Sequence, residues 1–307
     1  MENETYDLII IGAGPAGLGA SIYASRYKLN HLVIGAEMGG QAVNAWQVEN
    51  YPGYEKISGR DLTEKFRIQA ENLGGKIIQG VVGGVKKNNG EFEVFTEDGK
   101  SHKSQSIILA LGMKPRKLNI PGEDKFVGKG VSYCATCDAA FFRGKDVVVI
   151  GGGDAAATAA LHVAEFASKV YVLYRDNYIF EPVWEEQIKK NPKIELVCCS
   201  NVAEIKGDQK VTAVSYEFQG AKKELPAQGV FIEIGSVPGV AIAKELGIET
   251  DEQGYIIVDR TQATNIENVF AAGDVTTGSN KFRQIITAVA EGAVAAGSTY
   301  KKLKLKR

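Results

Sequence analysis

The chain has 307 residues, 44% of them hydrophobic and 24% charged, with a net charge of −1. That length suits two domains, and that balance excludes an electrostatic nucleic-acid binder and a disordered chain. Four cysteines in so long a chain do not make a disulfide scaffold, so a reducing, cytoplasmic setting is expected.

Leu8 to Ala24 carries no charge, but its leader, Met1 to Asp7, is acidic and four glycines and a proline interrupt it. It therefore reads neither as a signal peptide nor as a membrane span. Tyr6 to Ile11 is an apolar run of the kind a buried parallel strand makes. It stops at Gly12-Ala13-Gly14-Pro15-Ala16-Gly17, after which helical spacing begins. Strand, G-x-G-x-x-G and helix in this order form a dinucleotide fingerprint. Gly12 serves the turn, Gly14 lets backbone approach a pyrophosphate, and Gly17 lets helix and strand pack closely.

A second strand, His31 to Ile34, runs into Gly35 with Glu37 as the nearest acid, which makes Glu37 a candidate ribose contact. The stretches Gly39-Gly40-Gln41 and Val48 to Gly53 are too long for simple turns and read as ligand-wrapping loops. A helix is expected over Gly59 to Leu73, alternating strands around Glu91 to Phe95, and a buried strand over Ser106 to Leu111 that ends at Gly112. Pro115 and Pro121 mark a crossing into a second domain.

Tyr133-Cys134-Ala135-Thr136-Cys137-Asp138 follows. Two thiols three positions apart can store two electrons as a disulfide. A zinc site would need a second matched pair or suitably spaced histidines. Cys198 and Cys199 are adjacent and His31, His102 and His162 are scattered, so a redox pair is expected and no metal. Gly144 to Ile150 is another strand, running into Gly151-Gly152-Gly153-Asp154-Ala155-Ala156, a second fingerprint. The next strand, Val170 to Tyr174, is followed by Arg175 and Asp176. A 2′-phosphate wants clustered arginines there and a free ribose wants an acid at the strand end. Tyr174 holds that place, so neither pattern is met. Cys198 and Cys199 read as buried, inert thiols of a strand, His162 as a packing or surface residue, and His31 and His102 as partnerless. The strand Asn268 to Asp274 ends in a carboxylate able to accept from ligand hydroxyls. A helix starting at Phe282-Arg283-Gln284-Ile285 and running to about Gly297 offers a positive dipole end. The terminal KKLKLKR reads as a solvated end.

With these pieces in place the chain resembles the low-molecular-weight thioredoxin reductases, through GAGPAG, GGQ, VENYPG, KPRKLNIPGE, GVSYCATCD, NVFAAGDV and RQIITAVAEGAVAA. The resemblance implies an α/β protein of two Rossmann-like, three-layer domains, the second inserted in the first. The boundaries read as 1–114 with 245–307 for an FAD domain, and 115–244 for an NAD(P)H-type domain carrying the cysteines. It implies that Gly12, Gly14 and Gly17, with Pro15 and Ala16 between them, face the FAD pyrophosphate. Gly40, Gln41, Asn50 and Gly112 would line the same site, Asp274 would hold the ribityl chain, and Arg283, Gln284 and Ile285 would lie near the flavin ring. Cys137 would face the flavin and Asp138 would move a proton. It also implies a homodimer, a thioredoxin-like acceptor and a large rotation of the inserted domain.

The chain departs from the family pattern in the second nucleotide site. Tyr174-Arg175-Asp176 stands where the family has a His-Arg-Arg cluster, and Phe180-Glu181-Pro182 lies beyond. Thr158 and Ala159 replace paired glutamates, and Ser236 and Gly239 replace a histidine and an asparagine. The donor readings carried forward are ferredoxin and NADH, with NADPH behind both. A ferredoxin–NAD(P) reductase-like flavoenzyme and a non-enzymatic FAD redox sensor stand as alternatives.

Overall fold

The computed structural model describes residues 5–88 and 90–304. The chain divides into two compact units, one of residues 1–43, 48–114 and 238–307, the other of 44–47 and 115–237. The return crossing thus lies seven positions before the one read from sequence, because the short helix after it packs against a strand of the first unit.

In the first unit the chain runs through β1 (Thr5–Ile11), α1 (Pro15–Arg26), β2 (His31–Gly35), α2 (Gly59–Asn72), β3 (Lys76–Gln79), β4 (Val82–Asn88), β5 (Glu91–Thr96) and β6 (Ser101–Leu109). Strand β7 (Met113–Pro115) then leads to the second unit. There follow α3 (Glu123–Phe126), β8 (Val131–Ser132), α4 (Ala135–Asp138), β9 (Asp146–Ile150), α5 (Asp154–Ala164), β10 (Lys169–Leu173), α6 (Pro182–Lys190) and β11 (Ile194–Val197). The strands β12 (Ser200–Gly207), β13 (Val211–Phe218), β14 (Ala221–Pro226) and β15 (Gly229–Ile232) complete it. After β16 (Ser236–Pro238) the first unit resumes with α7 (Ala241–Glu245), β17 (Val269–Ala271) and α8 (Ile285–Lys304).

The sheet of the first unit has the order β3-β2-β1-β6-β5-β4, with β17 also on β6. Strand β1 pairs in parallel with β2 and β6. The strand expected to begin at Ser106 begins five residues earlier, because its first half pairs antiparallel with β5 while its second half carries β17 in parallel. Alternate residues of β1 feed two cores. Leu8 and Ile10 pack with the alanines of α1 and α8, whereas Ile9 and Ile11 pack with Phe92, Val94 and Ile256 on the other face. Burial on both faces is why the strand reads as a continuous apolar run. Helix α8 lies so close to α1 that a Cβ on Gly292 would fall 2.0 Å from the Ala16 carbonyl oxygen.

Helix α8 continues beyond Gly297 to Lys304, and its last turn carries Lys301, Lys302 and Lys304, charges that suit a helix C-terminus. Lys302 pairs with Glu267 at 3.0 Å and Lys304 with Asp7 at 3.3 Å, so this part of the expected solvated end is tied down. Residues 305–307, like 1–4 of the acidic leader, lie outside the described residues.

The parallel sheet of the second unit has the order β11-β10-β9-β15-β8. Val147 and Val149 face the alanines of α5, and Val148 and Ile150 face Val202, Val214 and Tyr216 of the antiparallel sheet β12-β13-β14. Each unit therefore repeats strand, glycine turn and helix, the architecture of two dinucleotide-binding domains. No helix among the described residues is long and apolar enough to cross a membrane.

Candidate active site

Cys134 and Cys137 form a disulfide with Cα atoms 5.4 Å apart. The pair frames the single turn α4, and the Cys137 amide donates to Cys134 Sγ at 3.1 Å. That bond favours the thiolate on Cys134 once the pair is reduced. Asp138 follows at the end of the same turn and is half-buried, with its amide on the Cys134 carbonyl at 3.2 Å.

Two neighbours of the disulfide are not visible in the sequence. Asn44 belongs to the same compact unit, its Oδ1 lies 3.2 Å from Cys134 Sγ and 3.9 Å from Cys137 Sγ, and its carbonyl accepts from Thr136 Oγ1 at 2.5 Å. Glu123 is 2% exposed and anchors the approach to the cysteines. It accepts the Leu118 and Asn119 amides at 2.9 and 2.6 Å and the Tyr133 hydroxyl at 2.6 Å. Burial, then the hydrogen bond to Glu123, raises the Tyr133 pKa.

In the first unit the glycine turn joins β1 to α1. A Cβ on Gly12 would fall 2.0 Å from the Ala110 oxygen, and one on Gly17 would fall 1.8 Å from the Gly12 oxygen. These two glycines answer to the chain's own packing. Gly14 differs, since its nearest neighbour would be Gly40 Cα at 3.8 Å, so the space before it is not filled by this chain. Pro15 and Ala16 open α1, with Pro15 in its first turn. Gly40 donates to the Glu37 carbonyl at 3.2 Å, and Glu37 itself is exposed. Gln41 Nε2 donates to the Met113 carbonyl at 2.5 Å, and the Gly112 carbonyl accepts from Gly239 at 3.2 Å.

The fold brings Asn50 to Gln284, whose side chains hydrogen-bond at 3.1 Å across 234 positions of sequence. Gln284 immediately precedes α8 and Ile285 is its first residue. Asp274 lies in a cleft with Arg283, Lys281, Thr287 and Glu291. Burial pushes its pKa up to about 6, Arg283 opposing and Glu291 adding to the shift. No hydrogen bond to the Asp274 carboxylate occurs among the described residues. Glu291 is a further residue that sequence reasoning missed. Its buried carboxylate accepts from the Gly273 amide at 2.8 Å and Thr276 Oγ1 at 3.1 Å, and so supports the turn bearing Asp274.

With this geometry in place, comparison with known proteins identifies the chain. It matches the family "Pyridine nucleotide-disulphide oxidoreductase" over residues 6–292. It is 41% identical over 305 residues to the thioredoxin reductase of Listeria innocua, covering 98% of this chain and 94% of that one. The chain belongs to the thioredoxin reductase family. The Bacillus subtilis thioredoxin reductase is 39% identical over 303 residues, covering 97% of this chain and 94% of that one. Among solved structures, Lactococcus lactis thioredoxin reductase in its FR conformation superposes with a TM-score of 0.93 at 41% identity, covering 97% of this chain and 99% of that one. The T. acidophilum enzyme gives 0.92 at 39%, covering 98% and 99%.

The family is FAD-dependent, and two features of the first unit fit that group. The unfilled space before Gly14 leaves backbone approachable by a pyrophosphate, and Asp274 offers a half-buried acceptor that lacks a donor among the described residues.

A nicotinamide dinucleotide with a 2′-phosphate fits the second unit poorly. From Tyr174 to Pro182 the only basic side chain is Arg175, beside Asp176 and followed by Glu181. The Ile179 amide donates to the Gly152 carbonyl at 2.7 Å and the Glu181 amide to Asp154 Oδ1 at 2.6 Å, which holds this acidic segment on the second glycine turn. The Glu233 main chain passes close to Gly151, and burial pushes the pKa of its carboxyl up to about 8.

Cys198 and Cys199 depart from the sequence expectation. They stand beyond β11 rather than inside it, Cys198 half-buried and Cys199 exposed, both free thiols. Cys199 has a φ of 59°, a left-handed conformation that a strand cannot continue. His31 also has partners, Ser21 Oγ at 2.8 Å and the Leu29 carbonyl at 3.0 Å, and burial lowers its pKa. His162 is buried, stacks on Trp46 at 5.1 Å and meets Phe166 edge-on, with its pKa lowered by burial. No cluster able to hold a metal ion occurs among the described residues.

Proposed function

We propose that this enzyme reduces the disulfide of a thioredoxin-like protein through FAD and the Cys134/Cys137 pair. The observation that carries the reading is the Cys134–Cys137 disulfide on its one-turn frame, in a chain of this family. Bound FAD, once reduced by the electron donor, would supply the electron pair that opens the disulfide. One thiolate of the reduced pair then attacks the partner's disulfide, and the second attacks the mixed disulfide, releasing a dithiol partner and restoring Cys134–Cys137. Asp138 moves the proton that one cysteine gains or loses.

In the same reading, Gly14, with Gly12, Pro15, Ala16 and Gly17 shaping its turn, receives the FAD pyrophosphate. Gly40, Gln41, Asn50 and Gly112 line the site, Glu37 reaches the ribose, Asp274 accepts from the ribityl chain, and Arg283, Gln284 and Ile285 flank the ring. The protein works as a cytoplasmic homodimer.

Its electron donor is ferredoxin or NADH rather than NADPH. A phosphate held by one arginine beside an aspartate lacks the charge-assisted contacts worth about 1.5–3 kcal/mol each. The test is anaerobic bleaching of the flavin by NADPH, NADH and reduced ferredoxin at matched concentrations. Bleaching by ferredoxin or NADH, with NADPH slow, is expected. Rapid bleaching by micromolar NADPH with NADH inert contradicts the donor assignment.

A further inference from the structure

We propose that Cys198 and Cys199 are a second thiol–disulfide site, a vicinal dithiol that a hydroperoxide closes into an intrachain disulfide. It is independent of Cys134 and Cys137. Strand β11 ends at Val197 and β12 begins at Ser200, so the two cysteines alone make the turn between them. Cys199 is exposed with a φ of 59°, where glycine or asparagine is the low-cost choice. Core packing does not explain an exposed cysteine there, directly beside a second free thiol.

The backbone holds the pair in place on both sides. The Tyr174 amide donates to the Val197 carbonyl at 3.3 Å, and the Ser200 amide donates to the Tyr174 carbonyl at 3.0 Å. Ser200 is buried, and its hydroxyl donates to the Cys198 carbonyl at 3.1 Å. The hydrogen bond to Cys198, ahead of desolvation and the neighbouring charges, raises the Cys199 pKa. Either sulfur can open the exchange, and the adjacent one resolves it.

The steps balance. One thiol of the pair, having given its proton to water, attacks one peroxide oxygen, the O–O bond breaks, and an alcohol or water leaves with that cysteine as sulfenic acid. The adjacent cysteine attacks that sulfur, the S–O bond breaks, and water departs. Both cysteines are oxidised by one electron each and the peroxide takes two. Cα atoms of adjacent residues lie about 3.8 Å apart across a trans peptide, less than the usual span of a disulfide. Such a bond is readily reduced, which suits a sensor that rests as a dithiol. Its closure removes the Cys198 donor from the Asp176 carbonyl, 3.2 Å away, at the head of the segment bound to Gly152.

The test uses the full chain with Cys134–Cys137 already oxidised. Thiol titration under denaturant is expected to find two thiols per chain, the free cysteines of the structure. After about one equivalent of hydrogen peroxide it should find almost none, with the peptide holding both residues lighter by about 2 Da and restored by a dithiol. In Cys199→Ser, dimedone should trap a sulfenic acid on Cys198, and reduction of the protein disulfide should proceed at the unaltered rate. Thiols that survive excess peroxide, a peptide that gains oxygen, a disulfide between two chains, or no dimedone adduct would each overturn the proposal.

Discussion

The side-chain oxygen of Asn44 lies 3.2 Å from Cys134 Sγ, and the main-chain oxygen of the same residue holds the Thr136 hydroxyl between the two cysteines. One residue thus touches the redox pair through two different groups. Once the disulfide opens, the amide oxygen can accept a thiol proton, and a carboxylate there would disfavour a thiolate. Asn44→Ala is expected to retain FAD and to slow disulfide exchange by about fivefold, the worth of one hydrogen bond of about 1 kcal/mol. Asn44→Asp should move the onset of thiol alkylation in the reduced pair to higher pH. An alkylation profile identical to the wild type would show that Asn44 does not act on the sulfurs.

The three glycines of the first fingerprint are expected to respond differently to alanine. Gly12→Ala and Gly17→Ala would drive a methyl to 2.0 and 1.8 Å from backbone oxygens, and should lower the stability of the apoprotein in urea. Gly14→Ala meets nothing nearer than 3.8 Å and has a φ of −78°, so the apoprotein should unfold as the wild type does. FAD affinity should nevertheless fall, because the methyl enters the space reserved for the pyrophosphate. Equal FAD affinity in Gly14→Ala would remove that glycine from the site.

Asp274 gives FAD binding a pH dependence. Its carboxyl in the folded apoprotein titrates at about 6, against a model-peptide value of 3.8. The folded state therefore holds the proton more tightly, and apoprotein stability is full below the lower value and falls as pH rises through about 6. The cost reaches about 3 kcal/mol at roughly 1.4 kcal/mol per unit. Ligand hydroxyls donating to the carboxylate favour its charged form, so FAD should bind tighter above pH 6 and loosen as pH falls through it. Asp274→Asn should flatten both profiles in urea unfolding and in FAD titration. A wild-type FAD affinity that is flat from pH 5 to about 8 would show that Asp274 does not meet the cofactor.

The sequence displays local devices well and tertiary ones poorly. Strand, glycine turn and helix announce themselves twice because each device occupies a few adjacent residues, as in Ile11 to Pro15. Cys134 and Cys137 need only three positions to meet. Asn50 and Gln284 could be placed in one site only through family motifs, since 234 positions separate them. Asn44 and Glu291 escaped notice because their roles are tertiary, one reaching a disulfide and the other a turn 18 positions upstream. For Cys198 and Cys199 the apolar run from Ile194 suggests a strand that continues, whereas it ends at Val197. The left-handed turn at Cys199 has no glycine or asparagine to signal it.

Stepwise anaerobic reduction of the purified enzyme tests the central claim most directly, because it counts where electrons reside. Flavin and disulfide each hold a pair, so the wild-type chain should take up about four electrons and Cys134→Ser or Cys137→Ser about two, with FAD still bound. Wild-type uptake of about two electrons, unchanged in either variant, would contradict a path through the Cys134–Cys137 disulfide.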